Sequence, residues 1–458
     1  MAAAALKRGT GLGDVRLDAR AAQVFEQMVA THSVVLKKIG GRRAGEIAAG
    51  RLLASGKVNT EGLLAPYFQR TAEAVRGRRI VAAQDTTEIN FAGRDNRRRG
   101  LGPAGDGVSK GFFIHPVIAI DADDEAVLGV AAAEIWTRDD APTPEHRNIP
   151  FDDKESARWL RGAQTAATRL DAAASLTVVG DRESDIYEVF ARRPIGIDYV
   201  IRSRHDRKLT DGCGLFAAMA DFETVGCAVV KVASNGIGDK GRIARVLIRS
   251  GTVEVARPKQ QGSAAGRSQT VPVVALSAVE VAEIDVPSGC TPLLWRLLTT
   301  LPVKSLHESA EVVRLYRLRW RIEETFRTLK KDGLRLEESQ VTEASAVMKL
   351  AALALAASVR IVQLVDARDG STRPATDVIN ADQIDAVAAI GATREGNTER
   401  QKNPWSKGSL AWVAWIAARL GGWNCYGKKP GPKTMADGWH RLSHMLAGFE
   451  IANSLRDV

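Results

Sequence analysis

The stretch Leu176–Phe190, LTVVGDRESDIYEVF, decides the fold class. Leu176, Thr177, Val178 and Val179 form a short apolar, β-branched run that stops at Gly180-Asp181, and RESDIYEVF then follows a helical pattern. A buried strand that ends on an acid and passes into a helix is a building unit of a mixed α/β core. The same design stands upstream at Arg79–Asp85, RIVAAQD, another buried strand ending on an acid. Phe112–Ile120 is a further strand candidate in which Pro116 argues for an edge or a bulge, and Asp198–Arg202 is another. From 206 to about 310 the chain carries many short strand candidates, several glycine turns and the polar stretch RPKQQGSAAGRSQ, which together read as a β-rich insertion.

Helical sequence flanks this core. Residues 13 to about 75 have apolar positions three and four apart, interrupted by Leu36–Arg43, where Lys37, Lys38, Arg42 and Arg43 surround a Gly-Gly pair. With Arg51 nearby, the charge points to a small DNA-binding module; a solvated loop is the plainer alternative. Residues 311–367 are again helical, and DGSTRPATD and TREGNTERQKNPWSKGS then read as exposed connections. Trp412, Trp415, Trp423 and Trp439 mark a compact helical C-terminal part. The expected organisation is a helical DNA-binding domain at 1–75, a catalytic domain at 76–368 with its insertion, and a helical domain at 369–458.

A net charge of +10 over 458 residues favours a polyanionic partner, nucleic acid before acidic lipid. Cys213, Cys227, Cys290 and Cys425 form no CxxC pair, which argues against a zinc knuckle or a disulfide framework and fits a reducing compartment. The first twenty residues contain no apolar run of the secretory kind. The apolar stretch Ala344–Val365 is broken by Lys349 and Arg360 and reads as a buried helix, so no membrane association is expected. No GxxxxGK[ST] loop is present, and no nucleotide cofactor is expected. His440 and His444 stand four apart without an HExxH pattern, so no zinc site is assigned to them.

Chemistry concentrates in Arg314–Gly333, RLYRLRWRIEETFRTLKKDG. On one continuous helix, at about 100° per residue, Tyr316, Arg319, Glu323 and Lys330 fall within about 60° of one another, while Glu324 and Lys331 point elsewhere. A carboxylate flanked by cations suits phosphate chemistry, though a solvated helix with Arg–Glu pairs is the ordinary alternative. Asp85 and Asp181 at strand ends and Glu323 on the later helix make three hard oxygen donors suited to Mg²⁺ or Mn²⁺. Taken singly, Asp85 is more simply a turn residue and Asp181 a helix N-cap.

Together these motifs resemble the bacterial cut-and-paste DDE transposases of the insertion-sequence type that carry the Tyr-Arg-Glu-Lys signature, the group of the transposon five transposase. Tyr316, Arg319, Glu323 and Lys330 match Y-(2)-R-(3)-E-(6)-K; Asp85-Thr86-Thr87 matches the DTT motif; Gly180-Asp181-Arg182-Glu183-Ser184-Asp185 matches the second-acid motif. Further echoes stand at Leu12–Asp14 with Arg16 and Arg20, VIRSRH at 200–205, and 408–423. The resemblance implies an RNase H-like core in which Asp85, Asp181 and Glu323 hold two Mg²⁺ ions, with Mn²⁺ as substitute. It implies nicking, hairpin formation at the transposon end, hairpin opening and joining to target DNA. It assigns phosphate contacts to Tyr316, Arg319 and Lys330, places Arg202 near the active site, and gives Trp295 the role of stacking on a flipped base, an otherwise ordinary core aromatic. It also implies double-stranded DNA as partner, at transposon ends and target, a homodimeric synaptic complex formed through the C-terminal domain, and a bacterial cytoplasmic location at the nucleoid.

Asp185 and Glu183 read as supporting groups beside the site, and Arg97–Arg99 as a DNA contact or a solvated loop. Two rivals stand beside this reading: a metal-dependent DNA nuclease without strand transfer, and a non-catalytic transposase-derived DNA-binding regulator.

Overall fold

Strands β1 (Arg79–Gln84) and β6 (Ser175–Gly180) are buried at every residue after the first, which is why both read as continuous apolar runs. They belong to a computed structural model that describes residues 11–91, 98–139, 148–232, 241–259, 270–331, 333–371 and 373–456. The chain divides into two compact units: Met1–Ala74 with Thr86–Asp140 and Arg321–Val458, and Val75–Asp85 with Ala141–Trp320.

The unit formed by Val75–Asp85 and Ala141–Trp320 is built on a mixed sheet. After β1 come α5 (Arg158–Arg169), β6, α6 (Tyr187–Ala191), β7 (Ile197–Arg202), α7 (Leu215–Asp221), β8 (Thr224–Val232), β9 (Arg242–Ala256), β10 (Val273–Ile284), β11 (Leu294–Thr299) and α8 (Leu306–Arg317). Their spatial order is β1-β6-β7-β11-β10-β9-β8. The pairs β1–β6 and β6–β7 are parallel, and every later pair is antiparallel. The β-rich insertion is therefore fused to the core sheet, with Leu297 of β11 opposite Arg202 of β7. Instead of many short strands it contains long ones, up to the fifteen residues of β9. Buried charge pins their register: Glu280 lies directly across from Arg249 on one side and Arg296 on the other, and accepts from them at 3.0 and 2.9 Å.

The helix expected from RESDIYEVF is split. A single 3-10 turn, Arg182–Ser184, follows Asp181, and α6 begins only at Tyr187. Gly180 permits the tight turn: a Cβ there would stand 2.2 Å from Ser184 Oγ.

In the other unit, α1 (Val15–Thr31), α2 (Leu36–Gly40), α3 (Arg43–Ala54) and α4 (Thr60–Ala74) precede β2 (Thr87–Asn90), β3 (Gly102–Pro103), β4 (Lys110–Asp121) and β5 (Val127–Trp136). Then follow α9 (Trp320–Lys330, entered from the last residue of the sheet unit), α10 (Ala344–Ala367), α11 (Ile384–Ala392), α12 (Leu410–Leu420) and α13 (Pro432–Arg456). Register shifts between β4 and β5 fall at Val117/Ile118 and Ala119/Ile120, so Pro116 directly precedes a bulge. Helix α10 is long and apolar enough to cross a membrane, yet its most apolar window is 83% buried beneath α1, α3, α4, α12, α13 and β5. The two charges that interrupt its sequence are satisfied by carbonyls: Lys349 Nζ donates to Leu53 O and Ser55 O at 3.1 and 2.8 Å, and Arg360 Nη1 to Val378 O at 3.1 Å.

Helices α12 and α13 cross at Gly438, where a Cβ would stand 1.6 Å from Ala417 O. Gly438→Ala must push the two backbones apart, and we expect a loss of about 1–3 kcal/mol in chemical denaturation.

Candidate active site

Asp85 and Asp181 stand at equivalent ends of neighbouring parallel strands. The parallel register pairs Ala83 with Val179, and each acid lies two residues further along the chain. With strands about 4.8 Å apart, this arrangement offers two carboxylates at one sheet edge. Neither is bare. Arg319 Nη1 donates to Asp85 Oδ2 at 3.0 Å, with the two side chains only 10% and 17% exposed. Asp181 Oδ1 accepts from Glu183 N at 2.9 Å, so the acid does cap the following turn.

Arg319 begins a chain of contacts within the sheet unit. Its guanidinium carbon lies 5.9 Å from the Tyr316 ring centroid and 5.6 Å from that of Trp320. Tyr316 meets Trp295 edge-on, with centroids 5.5 Å apart. Trp295 is half-exposed on β11, two residues from the Leu297–Arg202 register pair. Arg202 lies within electrostatic reach of Tyr316 and donates through Nη2 to Leu294 O at 3.1 Å. Burial pushes the Arg202 guanidinium below its ordinary range, and neighbouring Arg182 adds to this, while Tyr316 opposes it. Asp85, Arg319, Tyr316, Trp295 and Arg202, widely spaced in sequence, thus form one connected cluster.

The single helical stripe is not what forms. Helix α8 ends at Arg317, and Leu318 N and Arg319 N bond back to Leu315 O and Tyr316 O, the tighter three-residue spacing, before α9 begins at Trp320. Tyr316 closes one helix and Glu323 sits in the first turn of the next. Lys330, in the last turn of α9, donates to Glu88 O at 2.6 Å and pairs with Glu337 at 3.3 Å. Its charge steadies the strand that follows the DTT motif, where Thr86 Oγ1 bonds His115 Nδ1 at 2.9 Å.

The N-terminal cations are all exposed. Lys37 and Lys38 lie on α2, Arg42 stands at the N-cap position of α3 without a side-chain capping bond, Arg43 pairs with Glu46 at 2.9 Å and Arg51 lies in the last turn of α3. The tract is thus a pair of packed helices, and not the solvated loop of the plainer alternative. Of the Arg97–Arg99 run, Arg97 lies outside the described residues, and Arg98 donates to the carbonyls of Ser339 and Val341.

Asp185 does more than its place in the motif suggested. Fully buried, its Oδ2 accepts from Arg204 N, His205 N and Ser203 Oγ at 2.7, 2.9 and 3.2 Å, and its Oδ1 from Arg207 Nη2 at 2.7 Å. It ties down the backbone that follows Arg202. Arg207 carried no signal in the sequence, because its partner stands twenty-two residues away. Glu183 pairs with Arg158 at 3.2 Å.

Residues 160–360 match the transposase DDE domain. The matched DDE segment holds Asp181, Arg202, Trp295, Tyr316, Arg319, Glu323 and Lys330, and Asp85 precedes it. The match supports a DDE-type transposase, an enzyme acting on DNA, and the mixed α/β architecture is consistent with the fold of that domain. DDE transposases use divalent metal ions. The strand-end pair Asp85 and Asp181 supplies hard oxygen donors of the kind Mg²⁺ takes. Among the described residues, however, no three His, Cys, Asp or Glu side chains gather closely enough to hold a metal ion.

Asp185→Ala leaves Arg207 buried without its counter-charge. We expect a loss of about 3–5 kcal/mol in urea denaturation, a cost of the size measured when one partner of a buried ion pair is removed.

Proposed function

We propose that this chain is a cut-and-paste DNA transposase of the insertion-sequence type with an RNase H-like catalytic core. The observation that carries the reading is the Asp85–Asp181 pair at adjacent strand ends, linked through Arg319 to Tyr316, Trp295 and Arg202, in a chain that matches the DDE domain. In this reading Asp85, Asp181 and Glu323 are the residues that would hold two Mg²⁺ ions, with Mn²⁺ as substitute. Bound ions would supply Lewis-acid activation of a water or a 3′ hydroxyl and charge stabilisation for in-line phosphoryl transfer.

The chain's own residues do the rest. Arg319 orients Asp85, and Tyr316, Arg319 and Lys330 are the residues proposed to contact backbone phosphates, with Arg202 close to the site. A hairpin end forces one base out of the stack, and the half-exposed indole of Trp295, braced edge-on by Tyr316, offers it a face. The order of events is a nick that frees a 3′ hydroxyl, attack of that hydroxyl on the opposite strand, opening of the hairpin by water, and joining to target DNA. Residues 1–75, with Lys37, Lys38, Arg42, Arg43 and Arg51, bind transposon ends; 76–368 perform the chemistry; 369–458 dimerise the synaptic complex.

The test is cleavage of DNA bearing the terminal repeats that flank the gene, with Mg²⁺, read on a denaturing gel. Wild-type protein should produce hairpin-ended fragments, whereas Asp181→Asn and Glu323→Gln should bind ends normally and lose cleavage by at least about a thousandfold. Trp295→Ala should still nick but accumulate about tenfold less hairpin. Nicks without hairpins would favour a plain nuclease. Binding without cutting in either metal would favour a regulator.

A further inference from the structure

Three separate stretches of the unit that holds Met1–Ala74 and Arg321–Val458 line one cleft of about 500 Å³. They contribute Lys38 of α2, Lys331 and Arg335 from the segment after α9, and Lys433 in the first turn of α13, all four exposed. Local packing turns these charges outward. Leu334 N bonds back to Thr328 O at 2.9 Å, and Leu334 and Leu336 are buried, so Arg335 between them faces water, with a left-handed φ of 53°. Ile39 is buried next to Lys38. Pro432 opens α13 at a position where no amide hydrogen is needed, and Lys433 follows it.

The charges around this cleft do not balance. Beside the four cations stand two acids, Glu338 and Asp437. Glu338 lies 3.9 Å from Arg335, a loose exposed pair. Burial holds the His32 imidazole down to about 4 against the pull of Asp437, so this lining residue adds no charge at neutral pH. The side chains of Lys38, Lys331 and Lys433 make no hydrogen bond or ion pair among the described residues. Other exposed lysines of the same unit are paired: Lys402 with Glu399, Lys407 with Asp385 and Lys429 with Asp369, at 2.6, 2.8 and 2.6 Å. Three unpaired ammonium groups around one cleft repel one another, and a polyanion converts that repulsion into affinity. Duplex DNA offers a phosphate about every 3.4 Å along each strand, so one cleft can meet several at once. Lysine acts there as a point charge, without the fixed angle that a guanidinium imposes.

We propose that this cleft grips the phosphodiester backbone of transposon-end DNA, with Lys331 and Lys433 joining Lys38 as phosphate contacts. The contact positions the duplex and carries no base readout. It makes one strand the common partner of the N-terminal helices, the end of α9 and the start of α13. The proposal rests on the reading of the chain as a transposase acting on DNA, and it extends end binding beyond residues 1–75.

The experiment measures the affinity of the full-length protein for end DNA, and for an unrelated duplex of equal length, over a range of salt and without divalent metal. Lys38→Gln, Lys331→Gln and Lys433→Gln, singly and together, are compared with Lys402→Gln, which lies outside the cleft. All four side chains are exposed, so the fold should survive, which circular dichroism checks. Each cleft substitution should lower the slope of log affinity against log salt by about 0.9, and the triple variant by about 2.7, on both duplexes alike. At about 0.1 M salt, each lost contact corresponds to roughly tenfold in affinity. Lys402→Gln should keep the wild-type slope. Wild-type slopes for Lys331→Gln and Lys433→Gln, with Lys38→Gln alone affected, would overturn the cleft and leave the N-terminal contacts standing. A loss confined to end DNA would overturn the backbone contact in favour of base readout. Unchanged DNA slopes, with inorganic phosphate alone stabilising the wild type but not the triple variant, would reveal a small-anion site and overturn the proposal too. Failure of the wild type to bind either duplex would overturn the transposase reading itself.

Discussion

Two carboxylates at neighbouring ends of parallel strands repel one another, and a chain that folds them into place must supply positive charge nearby. Arg319 does so for Asp85, from the short non-helical link between α8 and α9. Much of the surrounding arrangement follows from that contact. The link tightens at Leu318–Arg319, where the helix breaks and the guanidinium reaches the strand end, and Tyr316 stands at the end of α8, where it meets Trp295 edge-on and lies near Arg202.

The parts of the fold that were readable are those where local preference and tertiary burial agree. Ile80–Ala83 and Leu176–Val179 are apolar because both faces of their strands are covered, so strand type and the terminal acids could be read directly. Pro116 marked its bulge because a residue without an amide hydrogen cannot sustain a regular ladder. Where long-range partners decide, the reading stopped. The uniform helical pattern of 314–331 contains no hint that Arg319 is drawn to a strand 234 residues away, so a continuous helix was the natural expectation. Lys330 and Arg98 looked like available cations, yet both are engaged with backbone carbonyls whose positions no local pattern reveals. The 3-10 turn after Asp181 was likewise hidden, since it exists to let Asp185 reach inward to Arg207.

Charge buried in pairs recurs through both units, and it serves to specify arrangement more than to add stability. Glu280 between Arg249 and Arg296 admits one register for β9, β10 and β11, because a slip by one residue would strand the carboxylate opposite a non-partner. Asp185 does the same for the loop after β7. Exchanging such groups for apolar ones often leaves stability intact, so their value lies in excluding alternatives.

The antiparallel pairing of β11 with β7 has an evolutionary corollary. Were the insertion trimmed away, β7 would become the rim of the sheet, with its amides and carbonyls open to any passing strand. The insertion therefore moves the open rim of the sheet from β7 out to β8. A shortened descendant of this chain could survive only by finding another cover for β7, so deletions in this region should be tolerated at the β8 margin long before they reach β11.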